Sequence, residues 1–338
     1  MTGAPDEAQP PEGTRPTAPR RRRLLKHAQM DARVQGIEDD FRSQVAATRA
    51  QIDATQERIQ ARTGRNLPVA ILIGLVLGGG LLASLLIVKA FFMVFAALLI
   101  GFTAYELADA LRFAGRDIPR VATIVAGVSV VPAAFYWGPA GAWLVTLAAM
   151  AFVSLWRTAE LVRPSHRMSA AVFWKDIGAG VLVQVYVPFL AMFTLLLDRE
   201  PNGQFWTLAF LIVVVVIDTG AYVSGLLFGR HPMAPRISPK KTWEGFAGSV
   251  VVAVLAAVLL GVFMLHLPWW FGLIFGAVMV FTSTIGDLIE SLIKRDLGIK
   301  DISTFLPGHG GFLDRLDSTL PSAAAAFILY LVFASLAA

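Results

Sequence analysis

Cysteine is absent from the 338 residues of this chain, which excludes disulfides, thiolate nucleophiles and cysteine-ligated zinc together. Charge is scarce as well: Asp, Glu, Lys and Arg make up 16% of the residues against 56% hydrophobic, and they crowd into residues 1–66 and a few short gaps. Histidine numbers only five, with no two at metal-ligand spacing, so a histidine-bound zinc is disfavoured. What remains is a succession of apolar runs, each about 20 residues long, the length at which a helix crosses a bilayer. The chain therefore reads as an all-α, polytopic integral membrane protein. Its net charge of +5 flanks hydrophobic segments, which points to membrane orientation and not to nucleic acid.

Residues 1–66 stand apart as a tail and 67–338 as the transmembrane domain. Residues 1–29, rich in Pro, Arg and Ala and ending in Arg20–Arg23, have the composition of a disordered segment. No apolar core follows those arginines directly, as a secretory signal would require. Between about 30 and 63, Phe41, Val45, Thr48, Ile52, Thr55 and Ile59 alternate at four- and three-residue steps. That spacing predicts an amphipathic helix with a short heptad seam, suited to pairing two copies into a homodimer or to lying on the membrane surface.

Nine spans are expected, at roughly 67–88, 90–108, 121–136, 140–156, 177–197, 204–228, 246–266, 268–293 and 319–337. Lys and Arg concentrate in alternate gaps, between spans two and three, four and five, six and seven, and eight and nine. By the positive-inside rule those gaps and the N-terminus are cytoplasmic. The polar stretch 291–317 and the loop 229–245 then share the face where nucleotides are found.

The candidate chemistry lies in those two gaps. Asp287, Glu290, Ser291 and Lys294 fall three, four and seven residues from the first, so on a helix they form one polar stripe at the end of span eight. Asp314 and Asp317 are three apart with Arg315 between them, and a short helix running into span nine would aim both carboxylates one way. Oxygen ligands beside Lys294, Arg295, Lys300 and Arg315 suit a hard cation such as Mg2+ holding phosphates. His309 sits in GlyHisGlyGly, where Gly310 and Gly311 let the backbone approach a phosphate or an ion. In the run 238–245, Ser238, Lys240, Lys241 and Thr242 offer phosphate partners. Asp218, an acid inside span six followed by small residues, is a functional candidate by its depth alone.

From Ser291-x-Ile293-Lys294-Arg295 through Lys300-Asp301-x-Ser303 to Leu306-Pro307-x-His309-Gly310-Gly311-Phe312-x-Asp314-Arg315-Leu316-Asp317, the sequence resembles the signature of the phosphatidate cytidylyltransferases, also called CDP-diacylglycerol synthases. AspThrGlyAlaTyr at 218–222 and SerProLysLysThrTrpGluGly at 238–245 resemble upstream motifs of that family. The likeness spans roughly 67–337 and implies the reaction of CTP with phosphatidate to give CDP-diacylglycerol and pyrophosphate. It implies Mg2+ held by Asp287, Asp314 and Asp317, room for a second, monovalent cation such as K+, and a cytoplasm-facing site in the cell's inner membrane. The expected catalytic set is Asp287, Lys294, Arg295, His309, Asp314, Arg315 and Asp317. The expected substrate-binding set is Asp218, Ser238, Lys240, Lys241, Thr242, Ser291, Lys300, Asp301, Gly310 and Gly311. A transporter would also carry intramembrane acids, but the internal repeat typical of transporters is not found. The AspGly-x-x-AlaArg signature of phosphatidyl-alcohol transferases is absent, while a lipid kinase would be told apart by its use of ATP.

Overall fold

A computed structural model of the chain describes residues 67–162, 169–303, 305 and 310–336. The chain divides into two units, Met1–Leu67 and Pro68–Ala338. The helix expected over 30–63, and His309 with Leu306 and Pro307, lie outside the described residues.

Among the described residues the regular structure of the second unit is helical apart from one hairpin. Its helices are α1 (Leu67–Ile87), α2 (Lys89–Phe113), α3 (Arg120–Glu160), α4 (Ala170–Gln184) continued through a π-turn (Val185–Phe189) into α5 (Leu190–Arg199), α6 (Gly203–Phe228), α7 (Trp243–Phe263), α8 (Trp269–Asp296), the short α9 (Leu313–Leu316) and α10 (Thr319–Phe333). The runs are helical because a backbone in lipid must satisfy its own hydrogen bonds.

Among the described residues seven helices are long and apolar enough to cross a membrane, where nine were expected. One reason is the uncharged Trp137–Ala140 link, which was expected between two spans: the two helices meet there with no loop between them and so form one run of 41 residues, α3. Straight, such a helix would be about 60 Å long, twice the ~30 Å of a hydrocarbon core. It is not straight. Gly138 breaks it with φ 69° and ψ −157°, a conformation open to glycine, and Pro139 follows. Ala126 in the first half shares a buried cluster with Ala149 and Val153 in the second, so the halves lie side by side. The other reason is α1, whose side chains are described only over Leu72–Ile87, short of the required length.

The gap expected at 157–175 is shorter, because helix continues to Glu160 and resumes at Ala170. The charges at these ends neutralise one another: Arg157, 1% exposed, lies 3.0 Å from Asp176 Oδ2 and 3.2 Å from Asp117 Oδ2. The basic loop is a hairpin. Strand β1 (Pro232–Ala234) runs antiparallel to β2 (Ser238–Thr242), with Pro232 opposite Thr242 and Ala234 opposite Ser238. Thr242 caps α7 by accepting from Gly245 N at 3.1 Å. Glu244 accepts from the backbone of Arg230 and His231 at 3.1 and 3.2 Å, which closes the hairpin onto the helix.

Candidate active site

The site forms where α8 meets the hairpin, α9 and α6. On α8 the expected stripe is present: Ser291 Oγ donates to Asp287 Oδ1 at 3.4 Å, and Lys294 Nζ lies 2.5 Å from Glu290 Oε2. Glu290 is fully buried, so its charge depends on that lysine. Lys294 also reaches Asp314 Oδ1 at 3.2 Å, joining the end of α8 to α9. Asp314 Oδ2 accepts from Gly311 N at 2.7 Å, which leaves each of its oxygens with a partner.

Two contacts bring the hairpin in. Lys241 Nζ lies 2.5 Å from Asp287 Oδ2, and Arg295 Nε donates to the carbonyl of Ile237 at 3.1 Å. Opposite them, on α6, Asp218 Oδ1 accepts from Ser318 Oγ at 3.4 Å, while the Ser318 backbone donates to Asp317 Oδ1 at 2.7 Å. Asp317 is within electrostatic range of both Asp287 and Asp218. Gly286 permits this approach, since a Cβ there would stand 2.6 Å from Pro321 Cγ and collide with the Asp317 carbonyl.

Asp218, Lys240, Lys241, Thr242 and Asp287 line one cavity of ≈ 280 Å³, with Ile217, Ala221 and Phe246 as apolar wall and Ser249 and Ser283 among its polar lining. Acids and lysines thus face a common space. The expected acids divide into two groups: Asp287 and Asp317 gather with Asp218, whereas Asp314 sits with Lys294 and Glu290. Among the described residues no three acids or histidines converge as a closed metal cage. The donor set still fits Mg2+, which takes one or two carboxylates and completes its octahedron with phosphates and water. Lys300 and Asp301 are exposed in the segment after α8, Arg315 is exposed on α9, and Ser238 pairs within the hairpin.

Sequence reasoning passed over Glu106. This residue of α2 is 2% exposed, and its carboxylate accepts from Ser303 Oγ at 2.5 Å and from Leu313 N at 3.0 Å. One turn earlier on the same face, Phe102 stacks on Phe312 with centroids 5.1 Å apart and meets Phe305 at 5.3 Å. Helix α2 therefore grips both sides of the glycine segment. Gly311 is buried in that grip, where a Cβ would come within 2.8 Å of Glu106 Oε2 and 3.0 Å of Ser303 Oγ. The signal available in the sequence was an acid near a span end, with nothing to tie it to residue 313.

Comparison with known proteins shows the family. A model described as the cytidylyltransferase family matches residues 68–333. A protein of Mycobacterium bovis named phosphatidate cytidylyltransferase is 39% identical over 275 residues, 80% of this chain and 90% of the relative. Proteins of the same name from Mycobacterium leprae and Pseudomonas aeruginosa are 38% and 34% identical, covering 79% and 75% of this chain and 88% and 91% of the relatives.

Proposed function

This chain belongs to the cytidylyltransferase family, and from that premise we propose that it transfers a cytidylyl group from CTP to phosphatidate at the membrane, giving CDP-diacylglycerol and pyrophosphate for phospholipid synthesis. The observation that carries the reading is the 2.5 Å contact between Lys241 and Asp287. It puts a lysine suited to phosphate and an acid suited to a metal on one cavity, which supports a reaction between two anions there.

A phosphate oxygen of phosphatidate attacks the α-phosphorus of CTP in line, the bond to the bridging α–β oxygen breaks, and the electron pair leaves with pyrophosphate. The lipid phosphate is ionised near neutral pH, so the chain's task is alignment and charge neutralisation. Lys240 and Lys241 serve the phosphates from the hairpin side, and Lys294 and Arg295 from the end of α8. Asp314 and Glu290 hold Lys294 in place between them. Mg2+ would be held by Asp287 and Asp317, with Asp314, the third acid expected there, steadying Lys294, and when bound it would supply charge neutralisation at the phosphates and the leaving group; K+ is the candidate for a monovalent ion beside it. The site is read as facing the cytoplasm from the cell's inner membrane, a reading that the basic gaps support. Acyl chains stay in the bilayer while the head group reaches the cavity, which accounts for building such an enzyme from membrane helices.

The test is formation of CDP-diacylglycerol by purified protein in proteoliposomes containing phosphatidate. CTP with Mg2+ is expected to support it and ATP is not. Folded, lipid-supplied wild type with no cytidylyl transfer would sink the assignment.

A further inference from the structure

The π-turn at Val185–Phe189 brings one more polar group to the site. Pro188 has no N–H to continue the regular ladder, and the wider turn absorbs the loss. Helix α3 fixes this turn from both sides: Gln184 Nε2 donates to the Thr123 carbonyl at 2.8 Å, and the Pro188 ring packs on Gly127, one helical turn further along. Tyr186 lies between these anchors and is 6% exposed. Its hydroxyl is buried and has no hydrogen-bond partner among the described residues. Asp317, Glu290 and Asp287 lie within its electrostatic range.

A buried hydroxyl without a partner destabilises a fold, and phenylalanine would fill the same space without that penalty. A tyrosine pinned at both flanks, with its orphan hydroxyl in electrostatic range of those acids, is preorganised for a ligand that accepts a hydrogen bond. We propose that Tyr186 is a substrate-binding residue whose hydroxyl donates to a phosphate oxygen of the lipid substrate. The choice of the lipid over the nucleotide follows from its position. Tyr186 stands in the middle of the Ala170–Arg199 helix, and the cavity that Lys240 and Lys241 share with Asp218 and Asp287 is lined by other residues. A phosphomonoester arriving from the bilayer meets it there. This inference rests on the proposed cytidylyl transfer, so wild type is assayed in parallel: an inactive wild type sinks the function, and the outcomes below concern Tyr186 alone.

The experiment compares Tyr186→Phe with wild type in three measurements. These are kcat and KM for phosphatidate and for CTP, the thermal midpoint in detergent, and the rise in that midpoint on adding short-chain phosphatidate without CTP. The expected result is a fall of about 10- to 100-fold in kcat/KM for phosphatidate, the size of a lost hydrogen bond to a charged oxygen. KM for CTP is unchanged, the midpoint is equal or higher, and the phosphatidate-induced rise is reduced. Full activity overturns the proposal. A lowered midpoint also overturns it, because the hydroxyl would then be bonded within the protein. A change confined to KM for CTP overturns the assignment to the lipid phosphate.

Discussion

Lys294 and Asp314, twenty residues apart, meet at 3.2 Å and so make the end of α8 and the start of α9 one unit. The same ammonium neutralises Glu290, which is fully buried. Lys294→Met is expected to leave two carboxylates uncompensated and to destabilise the fold by about 3–5 kcal/mol, the usual result of removing one partner of a buried ion pair. Adding Glu290→Gln should restore much of the thermal midpoint in detergent and leave activity low. Recovery of both by the double variant would remove Lys294 from the reaction.

Lys241 offers the contrasting case, because it and Asp287 are 23% and 32% exposed. A pair so placed contributes at most about 1 kcal/mol to stability. Lys241→Met should therefore keep its thermal midpoint while kcat falls about 100- to 1000-fold, the range seen when a preorganised charge partner is lost. An unchanged kcat in the proteoliposome assay would reduce this lysine to a surface charge.

Metal dependence can be checked directly. EDTA is expected to abolish CDP-diacylglycerol formation, and added Mg2+ to restore it. Asp317→Asn, which keeps the size of the side chain and its bond from the Ser318 backbone, should raise the Mg2+ concentration for half-maximal activity at least tenfold. The same Mg2+ titration in variant and wild type would remove Asp317 from the metal's ligands.

The grip of α2 on the glycine segment predicts a graded series. Gly311→Ala introduces a Cβ within 2.8 Å of Glu106 Oε2, and kcat should fall at least tenfold. Glu106→Ala should fall further and lose thermal stability, since Ser303 Oγ and Leu313 N then have no acceptor. Glu106→Gln keeps one carbonyl for Leu313 N and should recover part of both. Equal activity across all three variants would show that the segment holds its shape unaided.

Legibility in the sequence followed the range of each interaction. The α8 stripe from Asp287 to Lys294 could be read because helical spacing places those residues on one face, and the side chains pair along it. The fold class followed from apolar run length. The break at Gly138 could be read too, since it falls in the Trp137–Ala140 link expected between two spans, whereas the count of nine did not follow, because that link holds no loop and α1 is described over too short a length. The hairpin at 232–242 was hidden by proline at both of its strands, which weakens any strand pattern. Its ThrTrpGluGly end combines a helix cap at Thr242 with a clasp at Glu244, roles that residue type suggests but does not locate. Glu106 and Ser318 escaped notice for a common reason: each bonds a residue distant in sequence, and no local periodicity encodes a partner of that kind.

The bond between Glu106 and Leu313 joins residues 207 positions apart. A ribosome adding ~5–20 residues per second reaches the second partner roughly 10 to 40 s after the first. Through that interval α2 is already made and the groups it will clasp do not exist. Catalytic competence therefore arrives last in the life of the nascent chain. A translation product stopped before residue 303 would carry most of the bundle and none of the clasp, so an arrested chain at the membrane would have no assembled centre with which to consume nucleotide.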